Sequence, residues 1–130
     1  MTYPESNHIL VIESAAPRRQ QTQRLLAEEG LAVTAVAEGL SAIRVAAQQR
    51  FALAVTALEL PGTLDGAATL RQIRLRQPWL KALFVGEAAA RPRWLDPERE
   101  DFIAAPTHRR DLLGCVFELL QRDGMRTRVG

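Results

Sequence analysis

The sequence predicts an α/β fold in which five parallel strands form one doubly wound sheet. Five short apolar runs alternate with five segments of helical character along 130 residues. This alternation is typical of parallel strands joined by helices that cover both faces of the sheet. The length suits one domain, which we expect to span residues 8–123, with tails at 1–7 and 124–130.

The first strand and the first helix are predicted from two different patterns. The run His8-Ile-Leu-Val-Ile12 is apolar almost throughout, which is typical of a strand buried on both faces. Pro17 suits the first turn of a helix and Gly30 suits its end. We therefore expect a strand over 8–12 and a helix over 17–29.

The middle of the chain repeats this order. Apolar runs predict a second strand over 31–36 and a third over 51–57, which a Pro-Gly turn follows. Apolar residues at helical spacing predict a second helix over 40–50. The same spacing predicts a third helix over 65–76, which a proline closes.

The last part of the chain predicts two more strands and one clear helix. The strands are expected over 80–85 and 102–105, and two prolines should make the fourth helix, over 88–99, short or irregular. A broad apolar stripe predicts the final helix over 107–122. In parallel sheets of this kind the ligand crevice lies at the carboxyl ends of the strands, so residues that follow the strands are the candidates for a site.

Composition indicates a soluble intracellular protein. The apolar fraction of 47% and the charged fraction of 25% are ordinary, and residues 1–6 do not form a secretory signal. The single cysteine, Cys115, suits a reducing cytoplasm. We therefore expect a cytoplasmic protein that does not enter the membrane.

The basic residues favour a solvated surface over a nucleic-acid interface. The net charge is +2, and all but one of the basic residues are arginines. We expect these arginines to be scattered over the helices, whereas nucleic-acid binding needs them on one face. The closest approach to a cluster is Arg122, Arg126 and Arg128 near the C-terminus. A basic nucleic-acid-binding module therefore stays an alternative.

The third predicted strand resembles that of bacterial response-regulator receiver (CheY-like) domains. The run Phe51-Ala-Leu-Ala-Val-Thr-Ala57-Leu-Glu-Leu-Pro61-Gly62 is similar to the family pattern F-D-L-(apolar)₃-D-(x)₂-(L/M)-P-G. The spacing of Leu25, Leu26, Gly30 and Gly39 is also similar to the family's. The resemblance covers about residues 8–122. It implies a flavodoxin-like (βα)5 fold with strand order 2-1-3-4-5.

The resemblance also implies a phosphorylation pocket, and most of its functional residues are replaced. The acidic pair after the first strand falls on Glu13 and Ser14, and the phosphate-accepting aspartate falls on Ala57. The hydroxyl position falls on Gly86 and the lysine position on Ala105. One carboxylate is too few for Mg²⁺, and a methyl group cannot attack phosphorus. We expect a degenerate pseudo-receiver that has no Mg²⁺ or other cofactor and is not an enzyme.

Such a domain would act in signalling by phosphorylation-independent protein–protein interaction with a signalling partner. The first alternative is an active phosphorelay receiver that uses a displaced carboxylate. Glu59 keeps the strand face of Ala57 but should lie beyond the pocket, and Asp65 is better explained at the start of a helix. A small, uncharged ligand in the vacated pocket is a further alternative.

A contact surface is expected around Trp94, Phe102 and Arg109. In receivers, the surface formed by the fourth helix, fifth strand and fifth helix commonly mediates dimerisation or partner docking. Tryptophan and arginine are also enriched in binding hot spots. The resemblance thus suggests a homodimer or a docked partner at this surface. Alternatively, Trp94 and Phe102 only cover the edge of the sheet.

The remaining chemistry-bearing residues favour structural roles. His8 and His108 have no Asp or Cys at ligand spacing, so a metal site is not expected. Cys115 lies in the apolar stripe of the last helix and should be a small core residue. Ser14 and Ser41 lack a nucleophile-elbow motif.

Overall fold

Five parallel strands form a single sheet with helices on both faces. The computed structural model describes the backbone of residues 8–127 and the side chains of residues 8–122. The strands are β1 (His8–Ile12), β2 (Ala32–Val36), β3 (Leu53–Ala57), β4 (Lys81–Gly86) and β5 (Glu100–Ala104). The helices are α1 (Ala16–Glu28), α2 (Gly39–Ala46), α3 (Gly66–Arg74) and α4 (Arg109–Thr127). The strand order is β2-β1-β3-β4-β5, which confirms the predicted flavodoxin-like topology.

Alternate strand residues face two separate apolar cores because successive side chains of a strand point to opposite faces. Leu10 and Ile12 of β1 pack in the core beneath α2 and α3. Ile9 and Val11 pack in the other core, together with apolar residues of α1 and α4. The sheet is therefore covered on both faces, as the continuous apolar runs predict.

The segment between β4 and β5 contains no α-helix. Only a 3-10 turn at Ala88–Ala90 forms there, and Pro92 follows it. The prediction of a short or irregular fourth helix is confirmed. The described residues therefore contain four α-helices, and α4 is the helix that follows β5.

Several predicted boundaries are wrong by two to five residues. β3 begins at Leu53 rather than at residue 51, and α2 ends at Ala46 rather than at residue 50. β5 begins at Glu100 rather than at residue 102, and α4 runs from Arg109 to Thr127 rather than over 107–122. The predicted C-terminal tail therefore includes the last turn of α4, and residues 1–7 and 128–130 lie outside the described residues.

The charged start of β5 is accommodated by a buried ion pair. The Glu100 carboxylate bonds to Arg74 of α3 and accepts the backbone N–H of Asp96 at 2.8 Å. Burial lowers the pKa of Arg74, and the hydrogen bond to Glu100 opposes this effect.

None of the described helices is long and apolar enough to cross a membrane.

Candidate functional site

A cleft lies at the carboxyl ends of β1, β3, β4 and β5. The cleft has a volume of about 350 Å³. The residues that line it include the five pocket positions singled out in the sequence: Glu13, Ser14, Ala57, Gly86 and Ala105. The topology explains this convergence because the carboxyl ends of parallel strands share one edge of the sheet.

The Glu13 carboxylate is already engaged by other groups of the protein. It accepts the backbone N–H of Ala15 at 2.9 Å and two hydrogen bonds of 3.3 Å each from the Arg18 guanidinium. Arg19 donates to the Glu13 carbonyl oxygen at 2.9 Å. The Glu13 side chain is only 12% exposed, whereas that of Arg18 is 64% exposed. Arg18 thus brings a positive charge to the cleft, and the sequence analysis missed it.

Ala57 ends β3 at a point where the backbone is tightly fixed. The N–H of Leu58 donates to Val85 O at 2.8 Å, and the N–H of Gly66 donates to Leu58 O at 2.9 Å. A Cβ atom on Gly66 would lie 2.2 Å from the carbonyl oxygen of Ala57. This close approach requires glycine at the start of α3 and holds α3 against the end of β3.

The two displaced carboxylates differ in position. Asp65 caps α3, and its side chain accepts the N–H of Ala68 at 2.8 Å, which confirms its predicted place at the start of that helix. Glu59 is exposed and lines the cleft, so the expectation that it lies beyond the pocket is wrong. Glu87, which follows β4, lines the cleft as well and was missed. Among the described residues, however, no group of three or more acidic, histidine or cysteine side chains could hold a metal ion.

Gly86 and Ala105 themselves contribute no polar side chain to the cleft. A Cβ atom on Gly86 would lie 3.0 Å from Leu58 Cδ1 and 3.4 Å from Phe102 Cε1, so a larger residue here requires Leu58 to move. The N–H of Ala105 donates to Gly86 O at 2.8 Å, and the Ala105–Pro106 peptide bond is cis.

A smaller cavity of about 90 Å³ adjoins the cleft between α1 and α4. The two spaces share five lining residues: Glu13, Arg18, Ala57, Val85 and Ala105. Apolar side chains from the strand ends and α4 line most of the inner cavity: Val11, Val55, Val85 and Leu112. Polar residues also line the smaller cavity, namely Gln21, Thr22 and Thr107 beside the Glu13–Arg18 pair.

The three predicted contact residues do not form one surface. Trp94 is 54% exposed, and its ring packs edge to face on Phe84 at 5.2 Å. Phe102 is buried at 6% exposure within the core beneath α2 and α3. Arg109 bonds instead to Glu28 and Glu29 at the end of α1. Arg109 is thus held against the end of α1, and of the three residues only Trp94 presents an exposed aromatic ring, since Phe102 is buried.

The histidines and the cysteine occupy structural positions. His8 Nε2 lies 3.0 Å from Thr34 Oγ1, its ring packs on Phe51, and burial lowers its pKa. His108 is exposed beside the start of α4, so the two histidines do not meet. Cys115 lies on α4, is partly buried and packs against the apolar core beneath α1 and α4. Burial raises the pKa of its thiol, and the negative charge of Asp101 is the next largest cause.

The family model described as "Response regulator receiver domain" matches residues 9–117. The transcriptional regulatory protein ResD of Bacillus subtilis is 29% identical over 124 residues, which is 94% of this chain and 51% of ResD. The chain spans between 29% and 55% of the length of the curated relatives that it matches.

Solved structures with the same fold were also found. One is the receiver domain of the sensor histidine kinase PA1611 from Pseudomonas aeruginosa PAO1, with a magnesium ion coordinated in the active site cleft. It is 25% identical with a TM-score of 0.74, over 88% of this chain and 98% of that one. A CheY-like response regulator receiver domain protein from Methanospirillum hungatei is 21% identical with a TM-score of 0.78. That match covers 94% of this chain and 99% of the other.

Proposed function

This chain belongs to the response regulator receiver domain family, and we propose that its cleft does not accept phosphate. In this proposal the domain is a binding module rather than an enzyme, and it acts by phosphorylation-independent interaction with a signalling protein. The single observation that carries the proposal is the pairing of Glu13 with Arg18 beside the methyl group of Ala57. Its single thiol, Cys115, suits a reducing cytoplasm, where we expect the domain to work.

The chemistry of phosphoryl transfer explains why this pairing matters. A receiver needs a carboxylate nucleophile and a bound Mg²⁺ that offsets the charge of the phosphoryl group. Ala57 supplies no nucleophile, and the only acidic residue at the metal-binding positions, Glu13, is already held in an ion pair with Arg18. Mg²⁺ is bound through one or two carboxylates in near-octahedral geometry. Glu13 is already paired with Arg18, and Glu59 and Glu87 do not complete with it a group of carboxylates that could hold a metal ion, so the residues present do not fit Mg²⁺.

The remaining positions support the same proposal. Gly86 and Ala105 provide no hydroxyl or ammonium group for phosphoryl oxygens. Leu58 lies within van der Waals reach of the space that a side chain at Gly86 would take. The wall of the cleft at Gly86 therefore has room for a larger side chain only if Leu58 moves.

Mass spectrometry after treatment with acetyl phosphate and Mg²⁺ tests the proposal directly. We expect no gain of a phosphoryl group on the intact protein. Amide NMR spectra with and without beryllofluoride and Mg²⁺ should likewise be unchanged around Glu13, Ala57, Gly86 and Ala105. A stable mass gain of one phosphoryl group on the intact protein would refute the proposal.

A displaced phosphoacceptor is the second candidate, and the position of Glu59 in the cleft favours it over Asp65. Asp65 is committed to its hydrogen bond with Ala68. Loss of an observed mass gain in Glu59→Gln, but not in Asp65→Asn, would identify Glu59 as the acceptor.

Trp94 is the residue we propose for a contact with a partner or with a second copy of the domain. It is large, exposed and supported from below by Phe84. Sedimentation of the wild type and of Trp94→Ala should reveal any dimer that depends on this side chain. A dimer that persists in Trp94→Ala would place the contact elsewhere.

A further inference from the structure

A preformed apolar groove lies between the C-terminal ends of α2 and α3, far from the cleft. Its volume is about 380 Å³. Its floor and rim include Ile43, Ala47, Ile73, Leu75, Arg44 and Arg76. Leu75 is 78% exposed, the largest exposure among the large apolar residues described as exposed. A leucine so exposed beside an apolar groove is a feature of binding surfaces. We call this groove and its rim the α2–α3 face.

The α2–α3 face carries two arginines, and the chain segments that form it contain no acidic residue. Arg44 and Arg76 line the groove, Arg50 and Arg71 are exposed nearby in the chain, and none of the four has an ion pair with a described residue. No aspartate or glutamate occurs in residues 39–58 or 66–86, which include α2, β3, α3 and β4. The opposite face of the sheet mixes arginines with acidic residues of α1 and α4: Glu28, Glu29, Asp111 and Glu118.

Helix stabilisation explains only part of this charge. Basic residues in the last turn of a helix interact favourably with its dipole by about 0.3–1 kcal/mol each. Arg44 and Arg71 lie in the last turns of α2 and α3. Arg50 and Arg76 lie beyond the helix ends, and the dipole accounts for neither the absence of acids nor the exposure of Leu75.

The groove is held in shape by one buried side chain. The Gln77 amide donates to the carbonyl oxygens of Ala46 and Gln49 at 2.8 Å each and accepts the N–H of Phe51 at 2.9 Å. These bonds join the segment after α3 to the end of α2. Arg50, which lies outside the groove lining, packs over the ring of Trp79. A partner would therefore meet a surface that needs little ordering on binding.

We infer that the α2–α3 face binds an acidic, amphipathic helical segment of a partner protein. An apolar side chain of that segment would lie against Leu75 in the groove, with its carboxylates opposite Arg44 and Arg76. Charge complementarity selects an acidic partner, and helix-in-groove binding uses apolar anchors at helical spacing. A phosphate backbone would use the arginines but would gain nothing from the exposed leucine and the apolar floor. The inference rests on the proposed function, since it names the chemistry of the partner.

Amide NMR of the full chain with a designed peptide tests this inference. The probe is a helical peptide of about 15 residues with leucines at helical spacing and glutamates elsewhere. We expect shifts confined to the α2–α3 face, centred on Arg44, Ala47, Leu75 and Arg76, and weaker binding as salt increases. Arg44→Glu with Arg76→Glu should weaken binding by about tenfold or more, and Leu75→Ser should weaken it without changing the salt dependence.

Matched controls separate this site from a general charge effect. Arg24→Glu with Arg110→Glu makes the same charge change on the opposite face, at exposed arginines without ion pairs to described residues, and should leave binding unchanged. The same peptide with glutamine in place of glutamate, a DNA duplex and anionic vesicles are the comparison ligands. Peptide shifts that are absent at millimolar concentration, that lie elsewhere, or that persist with the glutamine peptide would overturn the inference. Tighter binding of the DNA or the vesicles at the same residues would overturn it as well.

Failure of this inference can be told apart from failure of the proposed function. The peptide titration reports on the α2–α3 face, whereas acetyl phosphate treatment reports on the cleft. If the domain neither binds the peptide nor accepts phosphate, the inference of an acidic partner fails and the proposed function stands. If the domain binds the peptide and also accepts phosphate, the inference of an acidic partner stands and the phosphorylation-independent mechanism fails.

Discussion

Removing Arg18 should free the Glu13 carboxylate without creating a Mg²⁺ site. The Arg18→Ala variant leaves one unpaired carboxylate at the metal-binding positions, because Ala57 still contributes none. Combining Arg18→Ala with Ala57→Asp places two carboxylates at the mouth of the cleft. We therefore expect measurable Mg²⁺ binding in the double variant and not in Arg18→Ala alone.

The magnitude follows from the exposure of the ion pair. The Arg18 side chain is 64% exposed and its two hydrogen bonds to Glu13 are 3.3 Å long. Exposed pairs of this kind contribute about 0.2–1 kcal/mol. An energy of about 1 kcal/mol corresponds to a factor of about five in affinity. Freeing Glu13 can thus raise Mg²⁺ affinity only about fivefold, and the loss of the pair leaves the fold intact.

Titration calorimetry with MgCl₂ measures this effect, and urea unfolding of each variant verifies that it is folded. Arg24→Ala is the matched control, since Arg24 is an exposed arginine of the same helix without an ion pair to a described residue. Acetyl phosphate treatment of the double variant then shows whether the inserted aspartate can be phosphorylated.

Two results would refute this reasoning. Submillimolar Mg²⁺ binding by the wild type would mean that Glu59 or Glu87 supplies ligands that the structure keeps apart. A gain well beyond fivefold in Arg18→Ala alone would mean that Arg18 blocks a site that is otherwise complete. In either case the cleft would hold Mg²⁺ without a carboxylate at position 57.

Three further predictions concern stability and reactivity. Gly66→Ala should destabilise the domain by about 1–3 kcal/mol, because the new Cβ would lie 2.2 Å from the Ala57 carbonyl oxygen. Gly114→Ala, whose Cβ would meet nothing within 4 Å, should stabilise α4 by about 0.5–1 kcal/mol; equal effects in urea unfolding would contradict this contrast. Burial lowers the pKa of His8 below 6.5, so the unfolded chain binds the proton more readily, and stability should fall as the pH drops from about 6.5 through the lowered pKa. His8→Gln should remove that part of the pH dependence, and an unchanged slope would exclude His8 as its source. Burial raises the pKa of the Cys115 thiol, so Cys115 should react with iodoacetamide more slowly in the native than in the unfolded protein, and equal rates would contradict its packing.

The sheet could be predicted from the sequence because its information is local. Each strand core is a continuous apolar run, and turn residues separate it from the next helix. The start of β5 was missed because Glu100 and Asp101 are charged. Glu100 is buried only because Arg74, 26 residues away in sequence, bonds to it. An ion-pair partner so far away in sequence cannot be recognised from the residues around Glu100.

The candidate site was predictable in position but not in its charges. The strand ends locate the five pocket positions, because chain order and parallel topology bring them to one edge. Arg18 follows Glu13 by five residues, and that spacing was an available signal for the ion pair. The conformation of the turns decides whether Glu59 and Glu87 line the cleft, and turn conformation is weakly encoded in side-chain type. The absence of acids from residues 39–58 and 66–86 was also visible in the sequence, but its meaning depends on α2 and α3 lying side by side.

The cleft and the α2–α3 face lie at opposite ends of α3, which connects them mechanically. At its N-terminus α3 is fixed to β3 by the Gly66–Leu58 hydrogen bond and by the close approach to Ala57. At its C-terminus it leads into Leu75 and Gln77, which form and brace the groove. A ligand can shift a conformational equilibrium only through unequal affinity for two states. Under the proposed function, with Glu13 paired to Arg18 and no nucleophile at Ala57, phosphate has no such difference in affinity to act through. The groove should therefore stay in its preformed shape, and partner binding should depend on partner concentration and salt rather than on a phosphoryl donor.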